Sequence, residues 1–263
     1  MKKYLVIGNP IEHSLSPKLH NYWINVNKIN AIYEKKKLNE NEIESLIKDV
    51  KDKKISGLNV TVPFKQKVIP YLDEITPQAK ETQSVNTIYL GANGAIGHNT
   101  DVDGFETSIR NELDVKNKNI FILGAGGVVS SIIYALNRLQ AQSITISNRT
   151  LEKAENLKKI FNNIEVVEWG KVPNFDIVIN ATSLGLNTKD EINLDFSKVK
   201  NKFFYDVIYN PSETNFLKNG KKFGNKICNG KIMFIYQAYY AFALWHNIFP
   251  KIGDEVIKLL DDD

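Results

Sequence analysis

A glycine-rich turn in the middle of the chain is a candidate phosphate-binding element. The segment 124–127, Gly-Ala-Gly-Gly, follows a strand pattern at 119–123 and precedes an apolar helix pattern. The first N–H groups of a helix have no partner within the helix and can bind a phosphate. Gly124 can make the tight turn and Gly126 lets the backbone approach a pyrophosphate, whereas the bulkier Val129 at the third fingerprint position is expected to push the helix slightly off the sheet. The pattern favours a dinucleotide site over a plain tight turn.

Arginine is rare in this chain, because only three of its 34 basic residues are Arg: Arg110, Arg138 and Arg149. Arg149 lies one strand after the glycine-rich turn, in the segment 148–150, where NAD-binding enzymes usually carry an acidic residue for the ribose 2′-hydroxyl. No carboxylate stands there to repel a 2′-phosphate, and a guanidinium can hold phosphate through two parallel hydrogen bonds. The segment therefore favours NADP over NAD. The alternative is that Arg149 is solvated and Thr150 only caps the next helix.

The elements that would position these groups alternate along the chain. In the second half, helices at 128–139 and 150–161 separate strand patterns, which indicates a doubly wound nucleotide-binding sheet. The first half also alternates and indicates a small parallel or mixed α/β layer. The predicted strands are 4–7, 31–35, 58–62, 84–89, 95–97, 119–123, 143–147, 164–168, 176–180 and 203–209, and the other predicted helices are 17–28, 40–50, 65–71, 76–83, 104–115, 231–245 and 251–260.

Composition limits the class of protein. The chain has 263 residues, of which 43% are apolar and 24% charged, as in a globular protein of about two domains. The net charge of +4 suits small anionic ligands but is no footprint for nucleic acid. The single Cys228 cannot form an intramolecular disulfide, and no apolar stretch has the length of a membrane span. We therefore expect a cytoplasmic protein with a small-molecule substrate, no nucleic-acid or membrane partner and no metal. The sequence leaves the oligomeric state open between a monomer and a homodimer.

Short motifs occur in a fixed order along nearly the whole chain. They are Gly8-Asn9-Pro10, His13-Ser14-Leu15-Ser16-Pro17, the stretch Gly-Leu-Asn-Val-Thr-Val-Pro-Phe-Lys at 57–65, Val85-Asn86-Thr87, Asn99-Thr100-Asp101, Asn148-Arg149-Thr150, Asn-Ala-Thr-Ser-Leu-Gly at 180–185, Asp-Val-Ile-Tyr-Asn-Pro at 206–211, and Gln237-Ala238. In this order they resemble the motifs of the shikimate dehydrogenase family, which includes shikimate/quinate dehydrogenases. The Ser-Leu-Ser, Asn-Val-Thr-Val-Pro-Phe-Lys and Asn-Thr-Asp stretches are far more specific than the glycine-rich turn.

The resemblance implies an α/β protein with an N-terminal substrate domain and a doubly wound, Rossmann-like NADP domain. We place the substrate domain at 1–103 and the NADP domain at 104–232. The segment 233–263 is then a C-terminal helical segment that returns to pack on the substrate domain.

Members of this family reduce 3-dehydroshikimate to shikimate with NADPH, a step of aromatic amino-acid biosynthesis. The resemblance implies that Lys65 and Asp101 are catalytic: Lys65 would stabilise the developing alkoxide and could deliver its proton, and Asp101 would orient Lys65. Whether Lys65 is the proton donor or chiefly an electrostatic group stays open. The implied substrate-binding residues are Ser14, Ser16, Asn59, Thr61, Lys65, Asn86, Asp101, Tyr209 and Gln237.

Two of these positions also have simpler interpretations. Ser14 and Ser16 resemble the family's carboxylate binders, but a serine before Pro17 is also a common helix cap. Tyr209 could lie near the nicotinamide or equally be a packing residue. The implied cofactor-binding residues are Gly124, Ala125, Gly126, Gly127, Val128, Asn148, Arg149, Thr150, Asn180, Thr182 and Gly230, with NADP(H) as the cofactor.

Two alternatives to a strict shikimate dehydrogenase remain. One is an enzyme of relaxed specificity that also uses quinate, which carries an extra hydroxyl near the carboxylate that a tight two-serine loop should disfavour. The other is a non-catalytic ligand sensor on the same fold, which would be expected to lack Lys65 or Asp101. Both residues are present.

Overall fold

Two six-stranded sheets organise the chain in the computed structural model, which describes residues 1–187 and 189–261. The first unit comprises Met1–Gly104 and Ile235–Asp263, and the second comprises Phe105–Phe234. The last two residues of the predicted C-terminal segment, 262 and 263, lie outside the described residues. The helices are α1 (Ser16–Val26), α2 (Ile43–Lys51), α3 (Pro77–Thr82), α4 (Thr100–Arg110), α5 (Val129–Arg138), α6 (Leu151–Ile160), α7 (Asn215–Lys222), α8 (Lys231–His246) and α9 (Asp254–Leu259).

The sheet of the first unit is mixed. Its strands are β1 (Lys2–Gly8), β2 (Ala31–Lys37), β3 (Gly57–Val60), β4 (Glu74–Ile75), β5 (Thr87–Gly91) and β6 (Gly94–His98), in the order β2-β1-β3-β5-β6-β4. The β1–β2, β1–β3 and β4–β6 pairs are parallel, whereas β5 is antiparallel to β3 and β6. Strand β1 is buried from Tyr4 to Gly8, and all four residues of β3 are buried, as expected for central strands covered on both faces.

Helix α8 belongs to the first unit from Ile235 onwards and is fixed to its sheet by Trp245. The Trp245 indole nitrogen donates to the carbonyl oxygen of Ile88 at 3.1 Å. The indole covers Gly57, where an added Cβ would lie 2.4 Å from the indole nitrogen. Gly57 therefore allows the close approach of the helix to strand β3.

The sheet of the second unit is entirely parallel. Its strands are β7 (Asn119–Leu123), β8 (Ser143–Ser147), β9 (Ile164–Val167), β10 (Ile177–Asn180), β11 (Phe203–Asp206) and β12 (Lys226–Cys228), in the order β12-β11-β10-β7-β8-β9. The order reverses between β7 and β10, and ligands of open α/β sheets bind beyond the carboxyl ends of the strands at such a point. The predicted α/β class, with a doubly wound second sheet, is confirmed.

Three predicted elements differ from the structure in ways that matter for the site. The helix predicted at 104–115 begins earlier, at Thr100, because the Asn99 side-chain oxygen accepts from the Asp101 backbone N–H at 3.1 Å and caps it. The helix predicted at 65–71 is wrong: only Ile69–Tyr71 forms a 3₁₀ turn, since Pro70 lacks the N–H a longer helix needs.

The strand predicted at 203–209 ends at Asp206, because the Asp206 carboxylate accepts from the Ile208 N–H at 3.0 Å and turns the chain. Asn86, expected inside a strand at 84–89, lies directly before β5. The short elements β4, α7 and β12 have no counterpart in the sequence prediction.

Candidate active site

Lys65 and Asp101 form a shielded ion pair in the first unit. The distance between Lys65 Nζ and Asp101 Oδ2 is 2.5 Å, and 14% and 10% of the two side chains are exposed. Lys65 follows strand β3 after a turn, and its carbonyl oxygen accepts from the Val85 N–H at 2.9 Å. A charged pair of this kind is oriented by its own hydrogen bond and remains open to a ligand through its exposed fraction.

The first turn of α4 positions the carboxylate. The Asn99 amide that caps this helix is itself held by the hydroxyl of Thr82, to which its nitrogen donates at 2.9 Å. Asp101 lies in the first turn of α4, where acidic side chains are favoured. The sequence prediction missed this arrangement, because it placed Asp101 before the helix. The sequence Asn-Thr-Asp at 99–101 contains the N-cap residue, Asn99, that indicates the earlier start of the helix.

Asn86 is buried and oriented by the same helix. Its side-chain oxygen accepts from the Thr100 backbone N–H at 2.7 Å and from the Thr87 hydroxyl at 3.0 Å. A backbone N–H can only donate, so the atom facing it must be the amide oxygen. The Asn86 amide nitrogen is thereby fixed as the end that can donate to a ligand hydroxyl.

Asn59 lies inside strand β3 and is also buried. Its nitrogen donates to the Asn86 carbonyl oxygen and to the Thr87 hydroxyl, both at 3.1 Å. Its oxygen accepts from the Tyr33 hydroxyl at 2.7 Å. Asn59 therefore connects strand β2 to the segment that carries Asn86. Tyr33 was not among the sequence candidates, since a buried tyrosine in a strand reads as core.

Ser16 is the first residue of α1 and does not cap it. The cap position is Leu15, with no side-chain hydrogen bond, so the interpretation of Ser16 as a cap is wrong. The Ser16 side chain instead hydrogen-bonds to the Tyr33 hydroxyl. Ser14 is half-buried, and its hydroxyl oxygen accepts from the Ser16 N–H at 3.4 Å. The two serines thus lie on one turn, with the partner of Ser16 in the interior.

The structure brings most of the predicted substrate residues into two hydrogen-bonded groups. One group runs from Ser16 through Asn59 to Asn86, and the other is the Lys65–Asp101 pair. Asn86 contacts Thr100 and Lys65 contacts Asp101, so both groups end on adjacent residues at the start of α4. Two candidates are placed by the backbone: Thr61 is half-buried just beyond β3, and Gln237 is half-buried on α8.

The glycine-rich turn of the second unit has the geometry expected for phosphate binding. Gly124 has φ +110°, and its N–H donates to the Ser147 carbonyl oxygen at 2.8 Å. A Cβ on Gly124 would lie 2.8 Å from the Ala181 carbonyl oxygen, whereas one on Gly126 would meet nothing closer than 3.9 Å. Gly126 and Gly127 are exposed directly before α5, which leaves their backbone approachable.

The three arginines have different roles. Arg110 Nη2 lies 3.1 Å from Glu106 Oε1, and Arg138 Nε lies 3.2 Å from Glu106 Oε2, so these two neutralise one carboxylate. Arg149 is exposed at the end of β8 and has no ion pair within residues 1–187 and 189–261. Beside it, the Asn148 amide donates to the Thr150 carbonyl oxygen at 2.7 Å. The exposed guanidinium is available for a phosphate.

A buried carboxylate, Asp206, organises the loops after β10 and β11. It accepts from Asn180 Nδ2 at 3.1 Å, from the Ile208 N–H at 3.0 Å and from the Thr214 hydroxyl at 2.6 Å. Burial raises its pKa to about 6, against the lowering effect of these donors. Asn180 Oδ1 in turn accepts from the Thr182 hydroxyl at 2.7 Å. Asn180 and Thr182 thus shape this loop. Asp206 was not among the individual site residues predicted from the sequence.

Tyr209 packs against Phe234, with ring centroids 4.7 Å apart. Burial raises the pKa of Tyr209 to about 12, so it keeps its proton at neutral pH. Gly230 lies against the same segment, where a Cβ would stand 2.1 Å from the Val207 carbonyl oxygen. Gly230 is therefore required for packing, whatever else it contacts.

The second unit fits a dinucleotide phosphate. Two exposed glycines precede a helix, no acidic residue stands in the segment 148–150, and the Arg149 side chain is exposed. Ala125 and Val128 complete the same turn. Among the described residues, no three His, Cys, Asp or Glu side chains are grouped so as to hold a metal ion. Within those residues, no helix combines the length and apolar character of a membrane span.

Comparisons with known proteins give one consistent result. The family model for the shikimate dehydrogenase substrate binding domain matches residues 6–88, and that for shikimate / quinate 5-dehydrogenase matches residues 107–208. The chain is 59% identical over 262 residues to the shikimate dehydrogenase (NADP(+)) of Pelagibacter ubique, covering 99% of each.

Solved structures agree with these matches. Shikimate dehydrogenase from Aquifex aeolicus superposes with a TM-score of 0.90 at 36% identity, covering 100% of this chain and 98% of that one. A shikimate dehydrogenase in complex with NADP+ superposes with a TM-score of 0.92 at 35% identity, covering 99% and 95%.

Proposed function

The chain belongs to the shikimate dehydrogenase family, and we propose that Lys65 and Asp101 carry the chemistry of its reaction. The reaction is the reduction of 3-dehydroshikimate to shikimate with NADPH, a step of the shikimate pathway. It adds a hydride to the ketone carbon and a proton to the ketone oxygen. Bound NADPH supplies the hydride. The observation that carries the assignment of residues is the shielded Lys65–Asp101 pair, with 2.5 Å between Nζ and Oδ2.

Lys65 acts on the ketone oxygen in this proposal. An ammonium beside that oxygen stabilises the negative charge that develops as the carbonyl is reduced, and it has a proton to give. Asp101 holds Lys65 Nζ in one orientation and offers its remaining lone pairs to a neighbouring substrate hydroxyl. The hydrogen bond to Asp101 sets the direction of the Lys65 ammonium, so little reorganisation is needed when the substrate binds.

The other polar groups of the first unit recognise the rest of the ring. Ser14 and Ser16 donate hydroxyl protons to the carboxylate, since they lie on the same turn. The Asn86 amide nitrogen donates to a ring hydroxyl, because its oxygen is already held by Thr100. Asn59, Thr61 and Gln237 complete the set as partners of the ring hydroxyls. Tyr209 stays a prediction from the resemblance.

The second unit holds NADP(H). The exposed turn at Gly126 and Gly127 would hold the pyrophosphate at the start of α5. Arg149 binds the 2′-phosphate, with Asn148 and Thr150 beside it. The further cofactor-lining residues in this proposal are Gly124, Ala125, Val128, Asn180, Thr182 and Gly230. The single Cys228 and the biosynthetic reaction support a cytoplasmic location.

The test is the initial rate of NADPH formation from NADP and shikimate, with quinate and NAD as matched alternatives. We expect a rate with shikimate and NADP that exceeds the other three pairings. An equal rate with quinate would instead support the enzyme of relaxed specificity. Shikimate binding by calorimetry without turnover in any pairing would contradict the catalytic role of Lys65 and Asp101 and support a sensor.

A further inference from the structure

The hydroxyl of Tyr33 lies between two residues that the proposed function places in the substrate site. It donates to Asn59 Oδ1 at 2.7 Å, and it hydrogen-bonds to the Ser16 side chain. Tyr33 is on β2, 17 positions after Ser16 and 26 before Asn59, so only the folded sheet brings the three together. Its side chain is 1% exposed, which leaves no water to replace either hydrogen bond.

Aromatic rings fix the direction of this hydroxyl. The His20 ring stacks on the Tyr33 ring, with centroids 4.2 Å apart and an interplanar angle of 5°. Trp245 packs nearby, with its centroid 6.0 Å from that of Tyr33. Burial lowers the pKa of His20 to about 3, so the stacked imidazole is neutral and adds no charge beside the hydroxyl. These contacts hold the Tyr33 ring in one orientation, which fixes the position of its hydroxyl oxygen.

The direction of each hydrogen bond follows from its partners. Asn59 Nδ2 faces the carbonyl oxygen of Asn86, which can only accept, so Asn59 turns its oxygen towards Tyr33. Tyr33 has a single proton and gives it to that oxygen. The Ser16 hydroxyl consequently donates to Tyr33 Oη in the free protein.

We propose that Tyr33 is a positioning residue that couples recognition of the substrate carboxylate by Ser16 to recognition of a ring hydroxyl by Asn59. When Ser16 turns its proton to a carboxylate, Tyr33 can rotate its own proton to Ser16 Oγ. Asn59 Oδ1 then loses a donor and becomes free to accept from a substrate hydroxyl. Only the hydroxyl groups of Ser16 and Tyr33 rotate, and each proton stays bonded to the same oxygen. This inference rests on the proposed function, because it assumes that the ligand is a hydroxylated carboxylate.

The structure supplies a matched control for the Tyr33 hydroxyl. Tyr4 lies directly beside Tyr33 in the β1–β2 register and is also 1% exposed. Its hydroxyl hydrogen-bonds to Ser56, which is not one of the proposed substrate residues. Tyr33→Phe and Tyr4→Phe therefore remove the same group from adjacent positions of one sheet.

We expect Tyr33→Phe to raise the KM for shikimate about threefold to tenfold, because Ser16 Oγ loses the proton that Tyr33 donates to it in the complex and that keeps the Ser16 hydroxyl directed at the carboxylate. This is the size of one hydrogen bond between uncharged groups, and kcat and the KM for NADP should change less than about twofold. Tyr4→Phe should leave all three constants unchanged, with a comparable fall in Tm. In a Ser16→Ala background, Tyr33→Phe should raise the KM for shikimate by less than about twofold, because the residue it acts through is already gone.

Three results would overturn the inference. They are an unchanged KM in Tyr33→Phe, an equal change in Tyr4→Phe, or full additivity with Ser16→Ala. Absence of shikimate turnover in the wild-type enzyme would instead contradict the proposed function, and the Tyr33 inference would fall with it. A normal wild-type enzyme with an unaffected Tyr33→Phe variant rejects the Tyr33 inference alone.

Discussion

Lys65 Nζ and Asp101 Oδ2 lie 2.5 Å apart, and both side chains are largely shielded from water. A shielded pair of charges loses hydration that its mutual attraction only partly restores. Each charge therefore depends on the other, and removal of one leaves the other uncompensated. This dependence makes it possible to separate the effect of the pair on stability from its effect on catalysis.

Lys65→Met is expected to lower kcat by about 10²–10⁴-fold, because the developing alkoxide loses its cation and proton source. It should also lower the free energy of unfolding by about 3 kcal/mol, since Asp101 stays buried without a partner. Steady-state kinetics and urea unfolding measure the two effects. Lys67→Met is the control: Lys67 pairs with Glu40 at an exposed position two residues away and should change neither.

The double variant Lys65→Met/Asp101→Asn should recover most of the lost stability but none of the lost activity. Both charges are then absent, so no buried charge is unpaired. Recovery of activity together with stability would show that the pair is structural and would remove both residues from the mechanism.

Arg149→Ala is expected to raise the KM for NADP at least about tenfold and to leave the KM for NAD within about twofold. The guanidinium would otherwise make charge-assisted hydrogen bonds to the 2′-phosphate, which NAD lacks. Arg110→Ala is the matched control, because Arg110 pairs with Glu106 and Arg138 remains to hold that carboxylate. Equal losses for both cofactors in Arg149→Ala would contradict the 2′-phosphate assignment.

Two glycines of the turn after β7 should respond differently to alanine. Gly124→Ala forces a side chain onto φ +110° and within 2.8 Å of the Ala181 carbonyl oxygen, so it should destabilise the free protein by about 1–3 kcal/mol. Gly126→Ala has open space in the free protein, with the nearest atom at 3.9 Å. Its methyl group would stand where the pyrophosphate approaches.

We therefore expect Gly126→Ala to keep the wild-type Tm without cofactor and to bind NADP at least about tenfold more weakly by fluorescence titration. Unchanged NADP affinity in this variant would place the pyrophosphate elsewhere. A normal Tm in Gly124→Ala would show that the turn can relax around a side chain.

Local patterns predicted five of the six strands of the second sheet and missed β12. The bounds predicted for the strands at 119–123 and 143–147 are confirmed. A glycine or a polar turn follows each of these strands, so a few adjacent residues are enough to predict where the strand ends. The rarity of arginine drew attention to three residues. Only the folded positions show that two of them neutralise Glu106, and no spacing in the sequence reports this contact.

The polar network of the first unit could not be derived from local patterns. Tyr33 contacts Asn59 across 26 positions, and Lys65 contacts Asp101 across 36. Such pairs depend on the sheet order and on the start of α4, and the sequence prediction began that helix too late. The resemblance to a known family supplied the candidate site residues, whereas the structure shows the hydrogen bonds that connect Ser16, Asn59 and Asn86 through Tyr33.

Asp206 should make the stability of the protein depend on pH in an unusual direction. Burial raises its pKa from 3.8 to about 6, so between these values the folded protein binds more protons than the unfolded chain. The free energy of unfolding therefore falls as pH rises through this window. The effect is about 3 kcal/mol for a shift of about two pKa units, and the loss is complete above about pH 6.

Asp206→Asn removes this titration and keeps an oxygen that can accept from Ile208 and Asn180. Between about pH 4 and about pH 7, the free energy of unfolding of the variant should rise by about 3 kcal/mol relative to that of the wild type, as measured by urea unfolding. His20, whose pKa burial lowers to about 3, acts in the opposite direction, but it is present in both proteins and its contribution cancels in the difference.

Asp195→Asn is the control for Asp206→Asn. Hydrogen bonds from Ser197 lower the pKa of the exposed Asp195 carboxylate, so this variant should show no such gain in the free energy of unfolding. A difference between Asp206→Asn and wild type that stays flat across the window would show that Asp206 ionises in the folded protein as readily as in the unfolded chain.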